Sequence, residues 1–212
     1  FGSRSGCSVL MVVLESFAAH AMESALAGDH PRLPFLRRLA GQGRFSTGHY
    51  SISPNTNQAF EYLYRGGYPA EAAYPFVRAL SEAGYSTALV TTQDLNDFRR
   101  FEIVERIGFD QVIDRKAEYF VPEREDYNLL EQVDRVARLL KGGNSFVHLM
   151  NNQPHSPYVV VDREAFRPAD GSRKARYHAS LEETDRILEQ WFAALEKRID
   201  LIAKEVYGAD GV

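Results

Sequence analysis

The sequence predicts an α/β protein: a doubly wound, mostly parallel sheet with helices on both faces. Two observations carry this. The apolar runs 9–14 and 145–150 are too continuous for strands with one wet face, so they read as strands buried on both sides. Segments of helical periodicity separate the strand candidates, and strands separated by helices imply parallel pairing through right-handed crossovers.

The elements follow in order. Residues 9–14 form the first strand, which runs into Glu15. Residues 34–42 read as a short helix with Phe35, Leu36 and Leu39 as apolar positions, stopped by Gly41 and Gly43. A helix over 57–64 ends at Gly66-Gly67, and one over 74–83 turns Phe76, Val77 and Leu80 inward before Gly84. A strand at 86–91, a helix at 102–107 and a short strand at 111–113 come next. The spacing of Leu129, Leu130, Val133, Val136, Leu139 and Leu140 predicts an amphipathic helix over 127–140. After the strand at 145–150, a long helix over 176–197 carries Leu181, Ile187, Leu188, Trp191, Phe192 and Leu195. The chain contains no internal repeat and no low-complexity segment.

Composition bounds the function. With 212 residues, 44% hydrophobic and 25% charged, the chain can bury one sizeable core. Residues 1–7 read as a linker or expression scar and 8–212 as one domain. A net charge of -4 gives no polyelectrolyte signal, so nucleic acid is not an expected partner. No apolar run approaches the ~18 residues that span a bilayer. The single Cys7 excludes an internal disulfide and leaves the compartment open.

The chemistry starts at Glu15. An unbroken apolar run that ends in a carboxylate is costly unless the carboxylate meets a cation or a hydrogen-bond donor. A strand inside a parallel sheet delivers its last residue to the carboxyl rim, where open α/β sheets bind ligands. A metal site at this rim is the leading reading; capping of the following helix, or pairing with an arginine, is the competing one. The second candidate is Thr56, in Ser53-Pro54-Asn55-Thr56. This is ordinary turn chemistry, with Asn55 or Thr56 as a helix N-cap, and a nucleophile there also gains from the helix dipole. By default Arg100, beside Arg99, is a solvated surface residue and His155 a loop residue. His148 reads as a hydrogen-bonded core histidine and Asp185 as structural. Phosphate-loop, dinucleotide-fold, zincin and nucleophile-elbow motifs are all absent, which leaves nucleotide-driven phosphoryl transfer, zinc proteolysis and serine-esterase action unsupported.

The succession Val12-Val13-Leu14-Glu15-Ser16, Pro34-Phe35-Leu36-Arg37-Arg38-Leu39-Ala40, Gly43-Arg44-Phe45, Gly66-Gly67-Tyr68-Pro69, Leu80-Ser81-Glu82-Ala83-Gly84-Tyr85-Ser86-Thr87-Ala88, Gly108-Phe109-Asp110 and His155-Ser156-Pro157-Tyr158 resembles the alkaline phosphatase and sulfatase superfamily. The nearest branch is that of lipoteichoic acid synthases and phosphoethanolamine transferases. The resemblance implies an alkaline phosphatase-like sheet in which Glu15 and Thr56 bind a divalent cation, manganese being common in the branch and zinc or magnesium the alternatives. It also implies that Thr56 is the nucleophile. Coordination to a cation favours the alkoxide, and covalent catalysis then divides phosphodiester transfer into two steps. Phe98 and Arg100 fall where this branch holds a phosphoglycerol group, and His155 where it meets the substrate phosphate or leaving group.

The family's sulfatase maturation signature is absent, because Gln58 and Phe60 stand at its proline and arginine places. The Asp-His-Gly metal motif expected after the long helix is also absent; Asp210-Gly211 lies near the expected distance with no histidine between. The sequence therefore predicts a domain truncated at its carboxyl end, or a degenerate, non-catalytic relative with a binding or regulatory role. For the complete protein the resemblance implies a metal-dependent hydrolase or transferase. Its substrates would be phosphate esters such as phosphoglycerol or phosphoethanolamine headgroups, in an extracytoplasmic or membrane-associated location. An incomplete sheet would expose an apolar edge open to self-association.

Overall fold

A computed structural model describes residues 6–46, 48, 50–66 and 74–207, with side chains as far as 203. Gly67, Tyr68, Pro69, Asp210 and Gly211 lie outside the described residues. The elements are β1 (Val9–Val13), α1 (Ala19–Ala27), α2 (Pro34–Gln42), α3 (Thr56–Arg65), α4 (Phe76–Glu82), β2 (Ser86–Thr91), α5 (Arg100–Ile107), β3 (Gln111–Ile113), α6 (Val133–Lys141), β4 (Ser145–Met150) and α7 (Arg173–Tyr207). Two 3₁₀ segments, Asp97–Arg99 and Pro122–Gln132, precede α5 and α6.

The sheet is four-stranded among the described residues, in the order β1-β4-β2-β3, and every pairing is parallel. Its middle strands alternate between two cores because successive side chains point to opposite faces. Ala88, Val90, Val147 and Leu149 face α6 and α7 through Val136, Ala137, Trp191 and Leu195. Leu89, Phe146 and Met150 face α3, α4 and α5 through Phe60, Tyr64, Val77, Val104 and Ile107. A third cluster, Ala21, Ala25, Leu33 and Leu181, joins α1 and the start of α2 to α7. The predicted doubly wound architecture is thus the one observed.

Strand register sets the position of the rim. Met150 of β4 pairs with Val13 of β1 on one side and Thr91 of β2 on the other. Three strands therefore end level, and the residues just beyond them, Glu15, Gln93 and Asn151, emerge at one rim.

Several elements depart from the sequence expectation. The helix expected over 127–140 is α-helical only from Val133; the preceding turns are 3₁₀, with Glu125 at φ 43°. Side chains compete with the backbone there. Asn128 accepts from the Val121 N–H at 2.9 Å and donates to the Val121 and Glu125 carbonyls, while Asp126 turns inward to the strand ends. The long helix starts earlier and runs further than 176–197, and α5 begins at Arg100 instead of residue 102. Helix α1 carries no strong apolar stripe; it seats on Ala21 and Ala25, one turn apart. No helix among the described residues is long and apolar enough to cross a membrane.

Asp185 is structural. From α7 its carboxylate accepts the Phe35 and Leu36 N–H groups at 2.9 and 2.8 Å, satisfying the otherwise unpartnered amino end of α2. Burial raises its pKa, against these two bonds.

Candidate active site

Thr56 is the first residue of α3. Asn55 is the N-cap, its Oδ1 accepting the Gln58 N–H at 3.2 Å, and the Asn55 N–H is itself held by Ser53 Oγ at 3.1 Å. This turn brings the amino end of α3 to the rim, while Phe60 and Tyr64 bury its other end against the sheet. The Thr56 hydroxyl donates to Glu15 Oε1 at 3.2 Å.

Glu15 is only 8% exposed, and its partners are neutral. Oε1 also accepts from the Ser16 hydroxyl at 3.1 Å, and Oε2 accepts from Gln93 Nε2 at 3.0 Å. Its backbone N–H donates to Asn151 Oδ1 at 2.8 Å. Glu15 does not cap α1, which starts after Ala18 with no side-chain cap. Its link to an arginine is indirect: Arg100 donates to Gln93 Oε1, and Gln93 in turn donates to Glu15. Neutral donors at the amino end of α3 thus satisfy the buried side chain of Glu15 and hold it at the rim.

Arg100 opens α5 and is fixed by a second bond, Nε to Asn57 Oδ1 at 2.7 Å. Burial pulls its pKa below the ordinary arginine value, while Glu15, Asp97 and Asp94 hold it up. Phe98 is 87% exposed and stands at φ 50°, its carbonyl held by Asn57 Nδ2 at 3.2 Å. Asn57, next to Thr56, thus ties Arg100 and the Phe98 backbone to the amino end of α3. His155 lies apart. Its exposed ring places Nδ1 3.0 Å from the Ser156 carbonyl and makes no hydrogen bond to Glu15, Thr56 or Arg100.

Behind the rim sits Asp126, fully buried. It accepts from Thr92 Oγ1, from Asn151 Nδ2 at 3.0 Å, and from the Asn152 and Gln153 N–H groups at 2.8 and 2.9 Å. Burial pushes its pKa up and these donors pull it down. Sequence reasoning missed Gln93, Asn57, Asn151 and Asp126. The first and third do carry a signal, since each is a polar residue within two positions of the end of a buried strand.

For a divalent cation, the described residues supply two converging oxygen donors, the Glu15 carboxylate and the Thr56 hydroxyl. Such ions take about four to six ligands. Among the described residues no three His, Cys, Asp or Glu side chains gather to hold one. The pair fits as part of a cation site and does not complete it.

Comparison with solved structures places this geometry in a known fold. A protein of the alkaline phosphatase superfamily from Vibrio parahaemolyticus superposes with a TM-score of 0.73 at 20% identity, over 93% of this chain and 52% of its own. The lipoteichoic acid synthase LtaP from Listeria monocytogenes gives 0.73 at 21% identity, over 93% and 54%. The C-terminal periplasmic domain of EcEptC from Escherichia coli, in complex with Zn, gives 0.68 at 15% identity, over 92% and 61%. This chain therefore spans between about half and three fifths of those structures. No curated protein matches the sequence. Residues 8–201 match the family model described as Sulfatase, so the chain belongs to the sulfatase family.

Proposed function

We propose that this chain carries the nucleophile of a phosphoester hydrolase or transferase, with Thr56 attacking phosphorus. The observation that carries the reading is the 3.2 Å hydrogen bond from the Thr56 hydroxyl to the buried carboxylate of Glu15. Glu15 and Thr56 are the two cation ligands that the chain contributes, manganese, zinc or magnesium being the candidates. A bound cation would supply the positive charge that favours the alkoxide form of Thr56.

The chain's own residues account for the rest. Arg100, held in orientation by Asn57 and Gln93, presents a planar fork of donors to a phosphate. Phe98 offers an exposed ring beside it for the headgroup. The Thr56 Oγ–phosphorus bond forms as the bond to the leaving oxygen breaks, the alcohol departs with a proton, and a threonine phosphoester remains. Water or an acceptor hydroxyl then attacks the phosphorus and restores Thr56. His155, in the loop after β4, donates the proton that the leaving oxygen takes. The substrate class is a phosphodiester headgroup such as phosphoglycerol or phosphoethanolamine, in an extracytoplasmic setting. The likeness to a lipoteichoic acid synthase and to a periplasmic domain supports this reading.

Among the described residues two oxygen donors converge without a third acidic or histidine ligand, and the second reading is a non-catalytic relative that keeps the fold for binding. One experiment separates them: metal content together with hydrolysis of bis(p-nitrophenyl) phosphate, for the protein and its Thr56→Ala variant. Turnover that disappears in the variant, with a phosphorylated Thr56 trapped in the unmodified protein, is the expected result. Retained turnover would remove Thr56 as nucleophile; no turnover and no metal would favour the binding role. The half-exposed β1 edge is where we place any self-association.

A further inference from the structure

The turn that aims Glu15 is held in an unfavourable conformation. Ser16 has φ 55°, a left-handed value that is unfavourable for a non-glycine residue and persists only where the surroundings hold it. One side chain from a distant helix does so. The Tyr177 hydroxyl of α7 donates to the Ser16 carbonyl at 2.8 Å and accepts from the Ala18 N–H at 3.0 Å, closing a bridge across the turn. With its backbone fixed, Ser16 points its own hydroxyl back to Glu15 Oε1 at 3.1 Å.

The Tyr177 ring is itself fixed. It packs beside the Ala21, Ala25, Leu33 and Leu181 cluster and meets Tyr158 edge to face at 5.2 Å. Tyr158 is also left-handed, at φ 64°; it lies three positions beyond His155 and is covered by the Arg173 guanidinium at 5.4 Å. Tyr177 thus touches both the turn after β1 and the loop after β4.

We infer that Tyr177 is a positioning residue for Glu15: its hydroxyl locks the turn at residues 15–18 so that the carboxylate stays turned toward Thr56. The inference deepens the proposed function and rests on it for its catalytic consequence. The hydrogen bonds of the Tyr177 hydroxyl go to Ser16 and Ala18, and those of Arg100 to Asn57 and Gln93, so loss of the former should disturb the nucleophile and spare substrate binding.

The test is Tyr177→Phe, which deletes the hydroxyl and keeps the ring. With bis(p-nitrophenyl) phosphate, kcat should fall at least tenfold while KM stays within twofold, with little change in melting temperature. Independently of turnover, backbone amide NMR shifts in Tyr177→Phe should move at Glu15 and Thr56 as well as at Ser16 and Ala18. Unchanged kcat, or amide changes confined to residues 16–18, would overturn the inference. Thr56→Ala run in parallel separates the failures. If that variant keeps full turnover the proposed function falls, and Tyr177 is then judged on the amide shifts alone.

Discussion

Gln93 donates its side-chain amide to Glu15 Oε2 at 3.0 Å, and the carbonyl oxygen of the same amide accepts from Arg100. A neutral group therefore separates the buried carboxylate from the guanidinium of Arg100. Replacing Gln93 with Leu removes the bonds to Glu15 Oε2, to the Asn151 carbonyl and from Arg100. Unfolding free energy should drop by about 1–3 kcal/mol. Urea denaturation checks it; a loss below the measurement error would mean that the bridge is not energetically significant.

Arg100→Lys should damage substrate binding more than charge conservation suggests. Arginine spends one nitrogen on Asn57 Oδ1 at 2.7 Å and another on Gln93, and its guanidinium has a third nitrogen beyond these two. An ammonium is a point charge without that fork. The expected outcome is a rise of roughly tenfold or more in KM for a phosphodiester, the equivalent of losing one charge-assisted hydrogen bond. Steady-state kinetics on both proteins decides it, and an unchanged KM would place the phosphate elsewhere.

The rim was partly legible in the sequence because strand ends are written in hydrophobicity. The run from Val9 stops at Glu15, and that of β4 at Met150, so each change from apolar to polar marks the carboxyl rim. The Ser-Pro-Asn turn likewise marked the amino end of α3. What stayed hidden depends on single side chains that no periodicity encodes. Asp126 sits in a stretch whose leucines keep helical spacing, yet its carboxylate is drawn to Asn151, Asn152 and Gln153 while Asn128 ties down the preceding turn. Local hydrogen bonds there override the apolar pattern. Tyr177 reads as one more aromatic residue on an amphipathic helix; only the fold brings its hydroxyl to Ser16.

Asp126 should be a large single contributor to stability. Four donors converge on a carboxylate with no exposure, and Asp126→Ala would strand them in a space closed to bulk water. A loss of about 3–5 kcal/mol is expected, since each buried donor left unpaired costs roughly 1–3 kcal/mol and relaxation recovers part of it. Asp126→Asn, which keeps the shape and some of the acceptor capacity, should cost less. Equal stability of Asp126→Ala and the parent in guanidinium titrations would refute the account.

His148 sets an acid limit on the fold. It lies on β4 between Met11 and Leu89, with no exposed surface, stacked on Phe60 at 5.5 Å and in contact with the Tyr64 hydroxyl through Nδ1. Burial pulls its pKa from the ordinary 6.5 down to about 3, so the folded protein holds the ring neutral. The unfolded chain takes up the proton near the ordinary value. The stability contributed by this group is therefore complete above about pH 6.5 and is lost as pH falls toward 3, at about 1.4 kcal/mol per pH unit. Asp126 and Asp185, whose pKa values are raised, act in the opposite sense, losing stability as pH rises through their titration. Comparison with a variant isolates the histidine. His148→Gln keeps a polar partner for Tyr64 and removes the titration, so its unfolding free energy should fall more gently between pH 6.5 and 4 than that of the parent. Denaturation curves collected across that range give both slopes, and identical slopes would show that protonation of His148 does not govern acid unfolding.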